Sequence, residues 1–221
     1  MKQNTTEELI QTMEKSGLIP VFYHPEPEVC KEVVAAAYRA GVRVFEFTNR
    51  GENALELFKE LVKRTKSYEH FTLGIGTIFS AADAHTFMDA GAKFVVSPAL
   101  IPEVADYCIR KDVLWIPGCG TVTEIYNARK LGAKVIKIFP GNVLGSGFIK
   151  AVKAVFPEVR MMPTGGVAPS QENLASWFNA GVCCVGMGSQ LIRQEMLAAN
   201  DFTALEKTIG ETLGMIQKLR Q

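Results

Sequence analysis

The chain lacks an excess of charge of either sign: 24 Lys and Arg stand against 23 Asp and Glu, a formal net charge of +1. That balance argues against nucleic acid or an anionic membrane as main partner, while leaving room for a local basic site that takes a small anion. No apolar run approaches the length needed to cross a bilayer. The opening residues, M-K-Q-N-T-T-E-E-L-I, carry acids and no apolar core, so they do not read as a secretory signal, and a cytoplasmic protein is expected. Cysteine is sparse and odd in number, five in all (Cys30, Cys108, Cys119, Cys183 and Cys184), with no C-x-x-C. Adjacent Cys183 and Cys184 would face opposite sides of a strand, and buried reduced thiols are expected rather than disulfides. Three scattered histidines, His24, His70 and His85, form no zinc or iron cluster, so any enzyme here is expected to need no metal. Linkers and low-complexity segments are missing too, and residues 1–221 read as one domain.

What the chain does have is material for a core, with 48% apolar side chains in 221 residues. Short β-rich runs alternate with helical patterns. Strands are expected near 18–23 (L-I-P-V-F-Y), 42–47 (V-R-V-F-E-F), 71–75 (F-T-L-G-I) and 93–97 (K-F-V-V-S), then near 113–116 (V-L-W-I), 134–138 (K-V-I-K-I), 160–163 (R-M-M-P) and 183–187 (C-C-V-G-M). Helical stretches lie between them, such as 122–131 and 52–66, where Ala54, Leu55, Phe58, Leu61 and Val62 mark one face. A further helix at 6–16 opens the chain, with Thr5 and Glu8 as a capping box and Gly17 as its stop. Eight strands, each followed by a helix, predict an α/β fold with right-handed crossovers that closes into a (β/α)8 TIM barrel with an additional N-terminal helix.

A weak repeat sharpens this. A-G-V-R-V-F-E-F (40–47), A-G-A-K-F-V-V-S (90–97), L-G-A-K-V-I-K-I (131–138) and A-G-V-C-C-V-G-M (180–187) each pass from a helix-ending glycine straight into a strand. Five residues after each glycine stand Glu46, Val96, Lys137 and Gly186. Barrel interiors are filled in layers by alternate strands, so an equal offset means one parity and one height. If that layer faces inward, an acid and an amine meet among apolar walls, with the smaller Val96 and Gly186 leaving room. Unpaired, either charge would be costly to bury. An active site and an ordinary buried ion pair both fit this pattern.

Two glycine clusters, P-T-G-G-V (163–167) and G-M-G-S-Q-L (186–191), follow the last two strands, and each is expected to open a helix. Their backbone N–H groups suit an anion, and loops in these places are the usual phosphate site of the barrel; Ser189 is expected to cap the last helix or to donate to the ligand. Arg50 in T-N-R-G suits a carboxylate or phosphate, or is a plain surface arginine. Thr77 in G-I-G-T and Pro98 in S-P-A-L end their strands, and simple loop chemistry would explain both.

Taken together, G-V-R-V-F-E-F-T-N-R, G-I-G-T, A-G-A-K-F-V-V-S-P, I-P-G, K-I-F-P, P-T-G-G-V and G-M-G-S resemble the family of 2-keto-3-deoxy-6-phosphogluconate and 4-hydroxy-2-oxoglutarate aldolases, over about residues 18–192. The resemblance implies a class I aldolase on a (β/α)8 barrel, commonly trimeric, with no cofactor. It implies Lys137 as the Schiff-base lysine, Glu46 as acid/base, and Arg50 and Thr77 at the substrate carboxylate. It places Pro98 and Phe139 around the reacting carbons and Gly165, Gly166, Gly188 and Ser189 at the phosphate. The expected substrate is 2-keto-3-deoxy-6-phosphogluconate, a 2-keto acid phosphate, cleaved to pyruvate and glyceraldehyde 3-phosphate. An amine adds to a ketone only when neutral, a form that desolvation favours, and the iminium then serves as electron sink in place of a metal. Departures line the mouth of the site. The run P-V-F-Y-H-P lacks the arginine common at the end of the first strand, Asn49 replaces an aliphatic residue, and G-N-V follows K-I-F-P where A-E is common. They leave open the 6-phosphogalactonate epimer and unphosphorylated 4-hydroxy-2-oxoglutarate as substrates. Outside the family, an imine-free phosphosugar isomerase or decarboxylase and a non-catalytic phosphometabolite-binding barrel are the alternatives.

Overall fold

The computed structural model describes residues 5–220. Residues 1–4, and with them part of the segment read above for a secretory signal, lie outside the described residues. Helix α1 (Thr6–Ser16) forms where its local signals put it. Thr5 Oγ1 accepts from the Glu8 N–H, Glu8 Oε2 accepts from the Thr5 N–H at 2.7 Å, and Gly17 ends the helix at φ 70°. There follow β1 (Leu18–Phe22), α2 (Pro27–Arg39), β2 (Val44–Thr48), α3 (Ala54–Thr65), β3 (Thr72–Gly76), α4 (Ala81–Asp89), β4 (Phe94–Val96), α5 (Pro102–Arg110) and β5 (Leu114–Ile116). After these come β6 (Gly118–Cys119), α6 (Val122–Lys130), β7 (Ile136–Ile138), α7 (Gly141–Val155), β8 (Met161–Pro163), α8 (Gln171–Phe178), β9 (Val185–Met187), α9 (Gln194–Ala198) and α10 (Phe202–Leu219). The repeat's glycines, Gly41, Gly91, Gly132 and Gly181, all sit at φ between 89° and 113°, the left-handed turn that ends one helix and aims the chain into the next strand.

All strand pairs are parallel, in the order β5-β4-β3-β2-β1-β9 in one sheet and β6-β7-β8 in a second. The sequence predicts eight strands; the described residues hold nine, because Pro117 divides the fifth. Proline has no N–H to give to a ladder. So β5 pairs with β4 before the break, β6 pairs with β7 after it, and the Pro117 carbonyl between them accepts from Lys137 N–H at 2.8 Å. At the other edges an isolated bridge joins Thr164 to Gly186. The architecture is α/β with a parallel sheet curled far enough that β2 and β7, in different sheets, bring side chains together.

Two apolar layers hold it. Inside the curl, Ile19, Val44, Phe94, Leu114 and Val135, all near the starts of their strands, pack on Leu9, Ile10 and Met13 of α1, which therefore plugs that end. Arg160 at the start of β8 fastens the plug, donating to Glu14 Oε1 at 2.8 Å and Glu7 Oε1 at 3.1 Å. Outside, Phe45, Phe47, Ile75 and Trp115 pack against the helices. On α3 the buried stripe is Ala54, Leu57, Phe58, Leu61 and Thr65, with Leu55 and Val62 half-buried at its edge, a turn of the face by one position from the sequence reading.

Candidate active site

Strand alternation delivers the central pair. On β2, Phe45 and Phe47 belong to the outer layer and Val44 to the inner one, so Glu46 points inside. On β7, Ile136 and Ile138 belong to the outer layer, so Lys137 points inside as well. Lys137 Nζ lies 3.5 Å from Glu46 Oε1, with Lys137 5% exposed and Glu46 0%. The contact is an ion pair rather than a well-formed hydrogen bond, and neither Glu46 oxygen has a donor among the described residues. Desolvating two such charges offsets what their pairing returns, so stability alone does not account for them. Gly76 makes the room: a Cβ there would stand 1.9 Å from Glu46 Oε1.

The Phe139 ring lies 5.4 Å from Lys137 Nζ, within reach of a cation–π contact. Pro98 is half-buried, and its carbonyl occupies the place that a Cβ on Gly118, the ladder partner of Lys137, would need. Thr77, half-buried after Gly76, sits at φ 64°, uncommon for a β-branched residue. Arg50 is exposed in the loop after β2, and among the described residues no hydrogen bond or ion pair joins its side chain to the Lys137–Glu46 pair. One polar group in the interior escaped the sequence reading. Thr164 Oγ1 is buried without a partner, in the space that Gly186 leaves by lacking a Cβ. Its signal was parity, since Thr164 stands two residues beyond Met162, the ladder partner of Lys137.

The Thr164–Gly186 bridge sets the two glycine loops side by side. The N–H groups of Gly165, Gly166, Gly188 and Ser189 have no acceptor among the described residues. Neither loop opens a helix directly, contrary to the sequence reading. Pro169 disfavours helix at the residue before it, and α8 starts only at Gln171, capped by Ser170. After β9 the Gly188 carbonyl accepts from Leu191 and Ile192 in a turn, so Ser189 is exposed and caps nothing, and α9 begins behind Arg193. The helix end that does reach the first loop is that of α7, where Gly141 N–H donates to Thr164 O at 2.8 Å and Asn142 lies against Gly165 and Gly166. Asn173 fixes the loop from the far side, accepting from Ala168 N–H at 2.8 Å and donating to Gly166 O at 3.1 Å. Among the described residues no cluster of three or more His, Cys, Asp and Glu could hold a metal ion, and no helix is long and apolar enough to cross a membrane.

An amine and a carboxylate buried together inside a parallel α/β sheet, beside loops with free N–H groups, fit an enzyme site for a small anionic molecule. The family described as KDPG and KHG aldolase matches residues 9–208 of the chain. The chain belongs to this family of aldolases, which are carbon–carbon lyases. It is 30% identical to the 2-dehydro-3-deoxy-phosphogluconate aldolase of Treponema pallidum (strain Nichols), over 94% of this chain and 97% of that protein. It is 37% identical to the 2-dehydro-3-deoxy-6-phosphogalactonate aldolase of Escherichia coli (strain K12), over 67% of this chain and 69% of that protein. Among solved structures, the KDPG aldolase of Legionella pneumophila, with pyruvate captured as a covalent carbinolamine, superposes with a TM-score of 0.84 at 26% identity, covering 92% of this chain and 97% of that one.

Proposed function

We propose that the chain is a class I aldolase that cleaves 2-keto-3-deoxy-6-phosphogluconate to pyruvate and glyceraldehyde 3-phosphate. The observation that carries this is the buried Lys137 Nζ, 3.5 Å from a Glu46 carboxylate with no other donor. Lys137 adds to the C2 ketone and, with loss of water, forms an iminium. Glu46 takes the proton of the C4 hydroxyl, the C3–C4 bond breaks, and its electron pair flows into the iminium to leave an enamine. Protonation at C3 and hydrolysis release pyruvate and restore the amine. Arg50 and Thr77 hold the substrate carboxylate, Pro98 and Phe139 pack on the reacting carbons, and Thr164 positions a substrate hydroxyl. The free N–H groups of Gly165, Gly166, Gly188 and Ser189 receive the phosphate. Borohydride reduction in the presence of pyruvate should leave a pyruvate adduct on the peptide that holds Lys137; bound pyruvate with no adduct would favour an imine-free enzyme. Lys137→Ala should abolish cleavage and leave the fold intact. Glu46→Gln should slow turnover by about 10²- to 10⁴-fold, the usual share of general acid–base catalysis, while still permitting some trapping; an unchanged rate removes Glu46 from this role.

The Escherichia coli relative named for the phosphogalactonate substrate favours a second reading, the same chemistry on that epimer. Pyruvate release from both epimers and from 4-hydroxy-2-oxoglutarate, compared by kcat/KM, separates the substrates. We also infer that the two sheets work as one closed (β/α)8 barrel and a single domain. Chain continuity through Pro117 supports closure on one side and the Thr164–Gly186 bridge supports it on the other. A homotrimer accords with the family resemblance and with the exposed apolar Phe79, Val122, Tyr126 and Val143, and light scattering tests it. A cytoplasmic setting accords with five free cysteines.

A further inference from the structure

At the end of the fold opposite the proposed chemistry, a groove of about 810 Å3 runs between α1, α10 and the starts of β2 and β3. Its size is that of small-molecule sites. Three basic side chains line it: Lys15 from the last turn of α1, Arg43 just before β2, and His70 just before β3. None of the three takes part in an ion pair among the described residues. The one carboxylate on the lining, Glu8, is committed to the Thr5 N–H of its own cap. Arg43 is held in place rather than loose. Its guanidinium carbon lies 4.6 Å from the centre of the Tyr38 ring, and Nη1 donates to the carbonyls of Tyr38 and Val42 at 3.1 and 2.8 Å. That leaves the other edge of a planar, fixed fork unclaimed, the arrangement that suits an oxyanion. Across the groove α10 presents Gly210 and Gly214, and a Cβ at either would meet nothing within 4 Å, so the backbone wall is open.

We propose that this groove is a second ligand site, for a small multiply charged anion of the phosphate-ester class, with Arg43 as its fixed anchor and Lys15 and His70 closing over it. The site does not depend on the aldolase reading. Filling it ties α1, α10 and β2 together, so ligand should raise the melting temperature. The test uses pyrophosphate as probe and follows backbone amide resonances, because the glycine loops near Lys137 can also bind it. Pyrophosphate should shift Gly210 and Gly214 saturably, on an isotherm separate from that of Gly165, Gly166 and Gly188. Arg43→Gln should weaken the Gly210–Gly214 isotherm at least tenfold and leave the other in place. Lys15→Ala with His70→Asn, both at exposed positions and the second keeping a residue type that tolerates the left-handed φ of 58° there, should do the same. Shifts confined to the loops near Lys137, or a Gly210–Gly214 isotherm equal in wild type and both variants, would overturn the proposal.

Discussion

Thr164 carries a hydroxyl that the fold buries and leaves without a partner. An orphaned buried hydroxyl destabilises by about 1–3 kcal/mol, so a chain with no use for it would do better with a methyl group. Thr164→Val should therefore hold or raise the denaturation midpoint. The same change should lower kcat/KM for the preferred keto acid about tenfold, the worth of one hydrogen bond. Raised stability with unchanged kcat/KM would reduce Thr164 to packing. How such residues show in a sequence differs from case to case. Glu46 and Lys137 were legible because the repeat gave them one offset from a helix-ending glycine, and the same counting placed Val96 and Gly186. Thr164 was not read because P-T-G-G looked like loop, although it faces as Met162 and Lys137 do. Arg50 was legible as a residue but not as a contact, since its loop conformation is set by neighbours and not by its own type.

At the scale of elements, the local signals of α1 proved readable, those after β8 and β9 did not, and non-local ones stayed hidden. Helix α1 was legible to the residue because its cap is made by its own side chains and its stop by the backbone of Gly17 next to it. Its role was not, because only the assembled strands show that Leu9, Ile10 and Met13 fill the end of the curl. The division of the fifth strand was equally hidden. Pro117 matters only because a neighbouring strand would have needed its N–H, and the sequence does not say which neighbour that is. The plug makes a clear prediction. Ile10 is fully buried in the inner layer, and Ile10→Ala should destabilise by about 2–5 kcal/mol through lost contacts and the cavity left behind. Below its unfolding transition the variant should still trap pyruvate on Lys137, since the plug lies at the strand starts and Lys137 beyond them. A stability loss below 1 kcal/mol on the same scale would mean that α1 covers the sheet without sealing it.

For the molecule as a whole, the helix–sheet layer carries built-in reporters of its integrity. Cys30, Cys108 and Cys119 are all buried in that layer, from α2 through α5 to β6. Burial pushes their thiols up from an ordinary 9.0, to about 11 for Cys30 and about 12 for Cys108 and Cys119, with Glu124 adding repulsion at Cys119. The folded chain thus holds protons that the unfolded chain releases. Below the ordinary thiol range both states are protonated and this contribution to stability is complete; as pH rises from 9.0 toward 11–12 it is lost. The thiolate is the reactive form, so at pH 8 iodoacetamide should modify these cysteines at least ~100-fold more slowly in the native protein than in urea. Urea midpoints should also fall between pH 8 and pH 10. Because the three thiols sit on distant elements of one layer, they should become reactive together, at the rate of global unfolding. Separate rates, with one cysteine reacting as fast as in urea while the others stay protected, would show that the layer opens piecemeal around that cysteine.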